Sequence, residues 1–269
     1  MKATTIDLLK RLKDKKFDFS SVKDLLGLAN ILLEDIGNTD PLIRDELVYP
    51  ALARLLYDDH LENSEVEKIL KQLFTERFLF YKIGENISSS VYTRTFSALQ
   101  IAVVLYKHNE KSFLSDEIIK DMYSLFLDYY KQEKDVSGYS EEFGWSHSVA
   151  HAADVFKQFV LCTELNEELE EILELVKDKF TQADYLFINN EDERIVTAID
   201  LLIKRDVFEK KVINDWIKSF GEYRKETDYK REFVINTNIK NLLRSLYFRI
   251  DSFEEVIKDT LFIINPFKK

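Results

Sequence analysis

Turn-forming residues are scarce in this chain: six glycines and three prolines in 269 positions, where average usage is about 7% and 5%. That leaves little raw material for the many tight turns of a β protein. Neither G-x-G-x-x-G nor G-x-x-x-x-G-K-[ST] occurs, which excludes a P-loop or a dinucleotide fold built on its usual fingerprint. Cysteine appears once, at Cys162, so no internal disulfide can form. Within its helical apolar pattern that thiol reads as a small buried hydrophobe rather than a nucleophile. No apolar run reaches secretory or membrane-spanning length, so a cytoplasmic protein with no membrane partner is expected. Bases are outnumbered, 38 Lys and Arg against 49 Asp and Glu, for a formal charge of −11. With no basic run to offset that field, nucleic acid is not expected as a partner.

What the chain has in abundance is helical periodicity. Apolar residues recur at helix spacing almost from end to end. The pattern predicts about twelve helices, over 4–15, 21–36, 41–58, 64–81, 88–108, 115–132, 145–163, 166–181, 191–205, 207–220, 229–249 and 252–264. Asp40 followed by Pro41 reads as N-cap and first helical residue, and Ser64 with Glu67 and Ser252 with Glu255 have capping-box spacing. Short connections make successive helices antiparallel neighbours, giving a helix pair about every 40 to 45 residues, the period of HEAT or armadillo units. The expectation is one all-α domain over residues 1–269, with antiparallel helix pairs stacked as a HEAT-like α-α superhelix. No residue motif repeats at that period, so a compact bundle stays open.

Two of the four histidines stand together in Gly144-Trp145-Ser146-His147-Ser148-Val149-Ala150-His151-Ala152-Ala153-Asp154. On a helix opened by Trp145, His147, His151 and Asp154 at i, i+4 and i+7 share one face, while Trp145, Val149, Ala152 and Phe156 share the other. The imidazoles are thus expected on a polar face and Trp145 in the core. Such a face is a solvated surface, a hydrogen-bonded polar cluster, or a chelate in which His147, His151 and Asp154 hold a divalent transition metal. Ser148 stands where the zincin signature H-E-x-x-H has its general-base Glu, which argues against that class of peptidase.

Other polar residues fall on apolar lines. Asp45 and Tyr49 share a stripe with Leu52 and Leu56, which reads either as a buried hydrogen-bond network or as part of a ligand site. Pro50 removes a backbone donor there, so a kink is expected beside Tyr49. The run 88–108 is apolar nearly all round and reads as central. Within it Arg94 lies on a line with Ala98, Ile101 and Leu105; it needs a carboxylate such as Asp45 or Asp154, or it is an anion binder. Tyr139 belongs to a linker, 133–144, rich in acidic residues, that delivers the chain into the histidine helix. Glu191-Asp192-Glu193-Arg194 reads as a helix start, with a further metal ligand as the alternative.

Taken together, Gly144-Trp145-x-His147-x-x-Ala150-His151-x-Ala153-Asp154, the preceding Asp135-x-x-Gly138-Tyr139, the Arg94-x-Phe96-Ser97-Ala98-Leu99 segment and Glu191-Asp192-Glu193-Arg194 resemble an uncharacterised bacterial family. Its members are mostly Gram-positive and form a domain of unknown function. The resemblance implies an all-helical, HEAT-like fold and transfers no catalytic role. The residues themselves suggest a groove lined by Asp45, Tyr49, Arg94, Tyr139, His147, His151 and Asp154 that binds a small polar ligand or a peptide or protein segment. The alternative is a metal-dependent hydrolase with His147, His151 and Asp154 as ligands.

Overall fold

A computed structural model describes residues 1–223 and 225–265. The fold is all-α: the described residues are helical apart from loops and one two-stranded ribbon, β1 (Tyr139–Ser140) and β2 (Gly144–Trp145), paired antiparallel with Tyr139 opposite Trp145. The chain divides into two compact units, Met1–Val155 and Phe156–Lys269.

In the first unit α1 (Ala3–Asp14), α2 (Leu25–Glu34), α3 (Pro41–Ile43), α4 (Tyr49–Tyr57), α5 (Asn63–Leu73), α6 (Ser90–Glu110) and α7 (Asp116–Gln132) follow in order. The expected cap of α3 forms: the Asp40 carboxylate accepts from Leu42 N at 2.9 Å, with Pro41 in the first turn. Between α3 and α4 the chain winds as a π-helical stretch, Arg44–Val48. A widened turn beside a proline that lacks a donor accounts for the expected irregularity at Tyr49. Helix α6 is the centre of this unit, packing against α4 and α5. It buries side chains all round, among them Val91, Phe96, Ala98, Ile101 and Leu105, as its uniform apolarity requires.

The second unit holds α9 (Glu171–Phe180), α10 (Glu191–Lys204), α11 (Lys210–Ser219), α12 (Tyr229–Arg249) and α13 (Glu254–Ile264), with single 3₁₀ turns before α9, after α11 and before α13. Here α12 is central, packing on α9, α10 and α13. Fully buried Asn238 accepts from Phe187 N at 2.9 Å and donates to Tyr185 O at 2.9 Å, so an amide fixes the loop before α10 without burying a charge. In sequence the units join within α8 (Ser148–Leu161). Cys162 just beyond it is buried, as expected.

Several boundaries differ from the periodic reading. The fourth helix stops at Leu73 instead of 81, because Thr75 Oγ1 donates to Gln72 O at 2.8 Å and Leu79 N turns back to Leu73 O at 3.0 Å. Its capping box is Glu62 with Glu65, two residues ahead of the Ser64 and Glu67 pair. At α13 the Ser252 and Glu255 pair forms no box, since Ser252 lies in the 3₁₀ turn and the helix opens at Glu254. The largest difference concerns 145–147, where a ribbon and a turn replace the first residues of the histidine helix.

Candidate functional site

The site is a sharp reversal of chain, residues 133–147, between α7 and α8. Two glycines bracket the ribbon. Gly138 O accepts from both Ser146 N and His147 N, at 3.0 and 3.1 Å. Gly144 takes φ +75°, and a Cβ there would come within 3.2 Å of Pro41 Cβ and 3.4 Å of Arg44 Nη2. Only glycine lets the ribbon lie this close to the 41–48 segment. His147 follows with φ +49°, a left-handed conformation that costs a non-glycine residue about 1 kcal/mol or more. It turns the chain into α8, whose first bond runs from His151 N to His147 O at 2.7 Å.

Polar bonds fix the base of this loop. Asp135 Oδ1 accepts from Ser137 N and Oγ at 3.2 and 2.5 Å, and Asp135 Oδ2 from Ile87 N at 3.1 Å. Ser148 Oγ donates to Asp135 O at 2.5 Å, and Ser146 Oγ to Ser137 O at 2.8 Å. Beneath them Arg94, fully buried, pairs with Glu133: Nε reaches Oε2 at 2.5 Å and Nη2 reaches Oε1 at 2.8 Å, while Nη1 donates to Ser90 Oγ at 2.8 Å and Tyr81 O at 3.1 Å. Burial alone would lower the guanidinium pKa, but the Glu133 bonds outweigh it and the net shift is upward. The carboxylate that Arg94 requires is therefore Glu133 and not Asp45 or Asp154, and its donors are taken up inside the protein.

Above that base runs a continuous stack of rings. Tyr139 meets Trp145 at 4.7 Å between centroids, Trp145 lies parallel on His147 at 4.2 Å, His147 meets His151 at 5.5 Å, and His151 sits edge-on to Phe96 at 5.4 Å. Tyr49 then meets Phe96 at 6.1 Å. The outer pair is open, Tyr139 at 44% and Trp145 at 42% exposure, whereas His147 and His151 are buried at 8% and 5%. Two expectations are thereby corrected. Trp145 is not a core residue of α8, because the helix starts at Ser148 and leaves the indole on the ribbon. The imidazoles are not on a solvated polar face, because the left-handed turn at His147 folds its ring under Trp145.

Arg44, which sequence reasoning passed over, holds the flank. It is fully buried, binds Asp45 through both Nε (2.7 Å) and Nη2 (3.2 Å), and donates to Asn38 O at 3.0 Å and Phe143 O at 2.8 Å. Its guanidinium carbon lies 4.2 Å from the Tyr92 ring centroid and 4.7 Å from that of Phe96. This weakly hydrated planar cation suits an aromatic slot better than an ammonium would. Partial burial raises the Asp45 carboxyl pKa despite the opposing charge of Arg44.

Of the seven expected site residues, Asp45, Tyr49, Tyr139, His147 and His151 thus fall on or beside one ring stack. Arg94 lies beneath the loop with Glu133. Asp154 sits on α8 one turn beyond His151 and is partly exposed. Among the described residues no group of three or more His, Cys, Asp or Glu side chains is placed to hold a metal ion. Glu191 is buried at the start of α10, accepts from Asn189 N at 2.7 Å, and its carboxyl pKa is raised by that burial.

Residues 79–248 match the family described as a protein of unknown function, DUF2785. The match takes in well over half the chain, including α6, the ribbon and both stacked histidines, and the protein belongs to that family. Arg44, Asp45 and Tyr49 lie ahead of the matched region. No curated protein and no solved structure matches the chain. Among the described residues no helix is long and apolar enough to cross a membrane.

Proposed function

We propose that this protein is a recognition module that binds a peptide segment or a small polar ligand on the Tyr139–Trp145 ribbon, with His147 and His151 behind the rings and Asp45 and Tyr49 at their flank. The observation that carries the reading is the parallel seat of a half-open indole on a buried imidazole, 4.2 Å apart. An exposed tryptophan gains nothing for folding from its open area, yet this one is held in place by a strained residue, a glycine-only approach and a buried arginine. Large, rigid aromatic groups with few rotatable bonds supply most of the energy in many binding surfaces. Strain that serves no packing need clusters at functional sites. A cytoplasmic bacterial setting and HEAT-like ordering of the helix pairs belong to the same proposal, supported by short connections between helices and the lack of a long apolar helix among the described residues.

The test is a thermal-shift screen of pooled short peptides, amino acids, sugars and nucleosides against wild type and Trp145→Ala, with elemental analysis of the wild type and of His147→Ala/His151→Ala alongside. The proposal expects compounds that raise the wild-type melt and leave the Trp145→Ala melt unmoved. Equal shifts in both proteins, or no shift from any pool, would overturn it. Stoichiometric zinc, manganese or iron in the wild type that is lost in the double variant would replace it with the metal-dependent hydrolase, with Asp154 as the third ligand.

A further inference from the structure

We infer that the ribbon selects a positively charged peptide segment, with arginine or lysine side chains laid on Trp145 and Tyr139 and their charge met by Glu141 and Glu142. The inference rests on the recognition reading and adds the chemistry of the partner. From residue 135 to 156 the chain carries four carboxylates and no lysine or arginine. Two of them, Glu141 and Glu142, form the exposed tip between β1 and β2, and neither pairs with a cation among the described residues.

The tip cannot fold back to bury those charges. Glu142 N and Phe143 N are held by Ser140 Oγ at 3.3 Å each, and Phe143 O is held by Arg44 at 2.8 Å. The site's own cation, Arg44, is fully buried and bound to Asp45, so it neither neutralises the glutamates nor repels an incoming charge at the surface. Open indole and phenol rings attract cations through their ring quadrupoles, most strongly for tryptophan. Beside them the like-charged tip makes an electrostatic complement that is specific for sign. A free amine would gain a single weak contact of this kind. A segment with several spaced charges engages the rings and the tip together, which is why a peptide is the fitting occupant.

The experiment uses the full chain with Trp216→Phe, which leaves Trp145 as the only indole. Its emission is titrated with acetyl-Arg-Gly-Arg-Gly-Arg-Gly-amide, with the same peptide carrying citrulline for arginine, and with free arginine amide. The expected result is a saturable change with the arginine peptide, about tenfold weaker binding of the neutral citrulline peptide, weakening by salt, and loss of that discrimination in Glu141→Gln/Glu142→Gln. Equal affinity for arginine and citrulline peptides, or undiminished discrimination in the glutamine variant, would overturn charge selection while leaving recognition intact. Arginine amide binding as tightly as the peptide would overturn the peptide assignment. Silence from every cationic probe overturns this inference alone where the thermal-shift screen has found a ligand that depends on Trp145, and together with an empty screen it removes the recognition reading too.

Discussion

Two arginines of the first unit are equally inaccessible to solvent, yet their surroundings differ in kind. Arg94 is bound at every side by protein: a carboxylate that is itself buried, a serine hydroxyl and a backbone carbonyl. Arg44 instead faces a carboxylate that is 29% exposed, lies under two aromatic rings, and holds the carbonyl of the ribbon tip. The first arrangement is a bolt, whose purpose ends where the loop is pinned. The second supports a surface, since everything it touches leads outward to open rings. Burial alone therefore does not separate structural from functional charge; what lies beyond the partner does.

Breaking the bolt should have the largest effect. Arg94→Ala strands Glu133 as a buried carboxylate and should cost about 3–5 kcal/mol in urea unfolding. Arg94→Met/Glu133→Gln should recover much of that loss, because glutamine keeps an acceptor for Asp135 N without the charge. A cost under about 1 kcal/mol for Arg94→Ala would remove the distinction drawn here. Arg44→Ala should cost less, about 1–3 kcal/mol, because Asp45 can regain water when its partner leaves. Its signature should be local: a shift of Trp145 emission, absent in Arg94→Met/Glu133→Gln. Smaller again are Tyr139→Ala and Trp145→Ala, expected to fall within about 0.5 kcal/mol of wild type because much of each ring is already wet. A loss of 2 kcal/mol or more there would make the rings part of the core.

The smallest effects are electrostatic and opposite in sign. Hydrogen bonds from Ser90 and Ser88 hold the exposed Glu85 carboxyl below its ordinary value. Its contribution is present above the unfolded-state value and is lost as pH falls through the lowered folded-state value. Buried Glu191 is raised, so its ionisation in the folded protein costs stability as pH rises from the unfolded-state value through the folded one. Melting curves from pH 3.5 to 7 should therefore show Glu85→Gln losing ground to wild type as pH rises and Glu191→Gln gaining it. Parallel curves for either variant would contradict the assignment.

Much of the fold was legible because it is helical, and a 3.6-residue period repeated over three or more turns is hard to mistake. The ribbon was not, since two-residue strands are too short to display a period of two. Drawing the histidine helix from Trp145 instead of Ser148 moved one tryptophan from surface to core and one histidine from a turn to a helix face. The glycines at 138 and 144 carried the corrective signal. Arg44 was equally readable: it stands on a line with Val48, Ala51 and Leu55, all buried, the same pattern that drew attention to Arg94. That Arg94 meets Glu133 and Arg44 meets Asp45 was not readable, because sequence spacing does not say which carboxylate a fold will bring to a buried cation.

The central claim is that a rigid, open indole is held in place from below by Arg44. Time-resolved fluorescence anisotropy of Trp145, in Trp216→Phe with Arg44 intact and with Arg44→Lys, tests it directly. The account predicts an acrylamide-accessible indole that tumbles only with the protein when Arg44 is present, and a fast local component when an ammonium replaces the guanidinium. An indole that moves freely in both proteins, or one shielded from quencher, would contradict it.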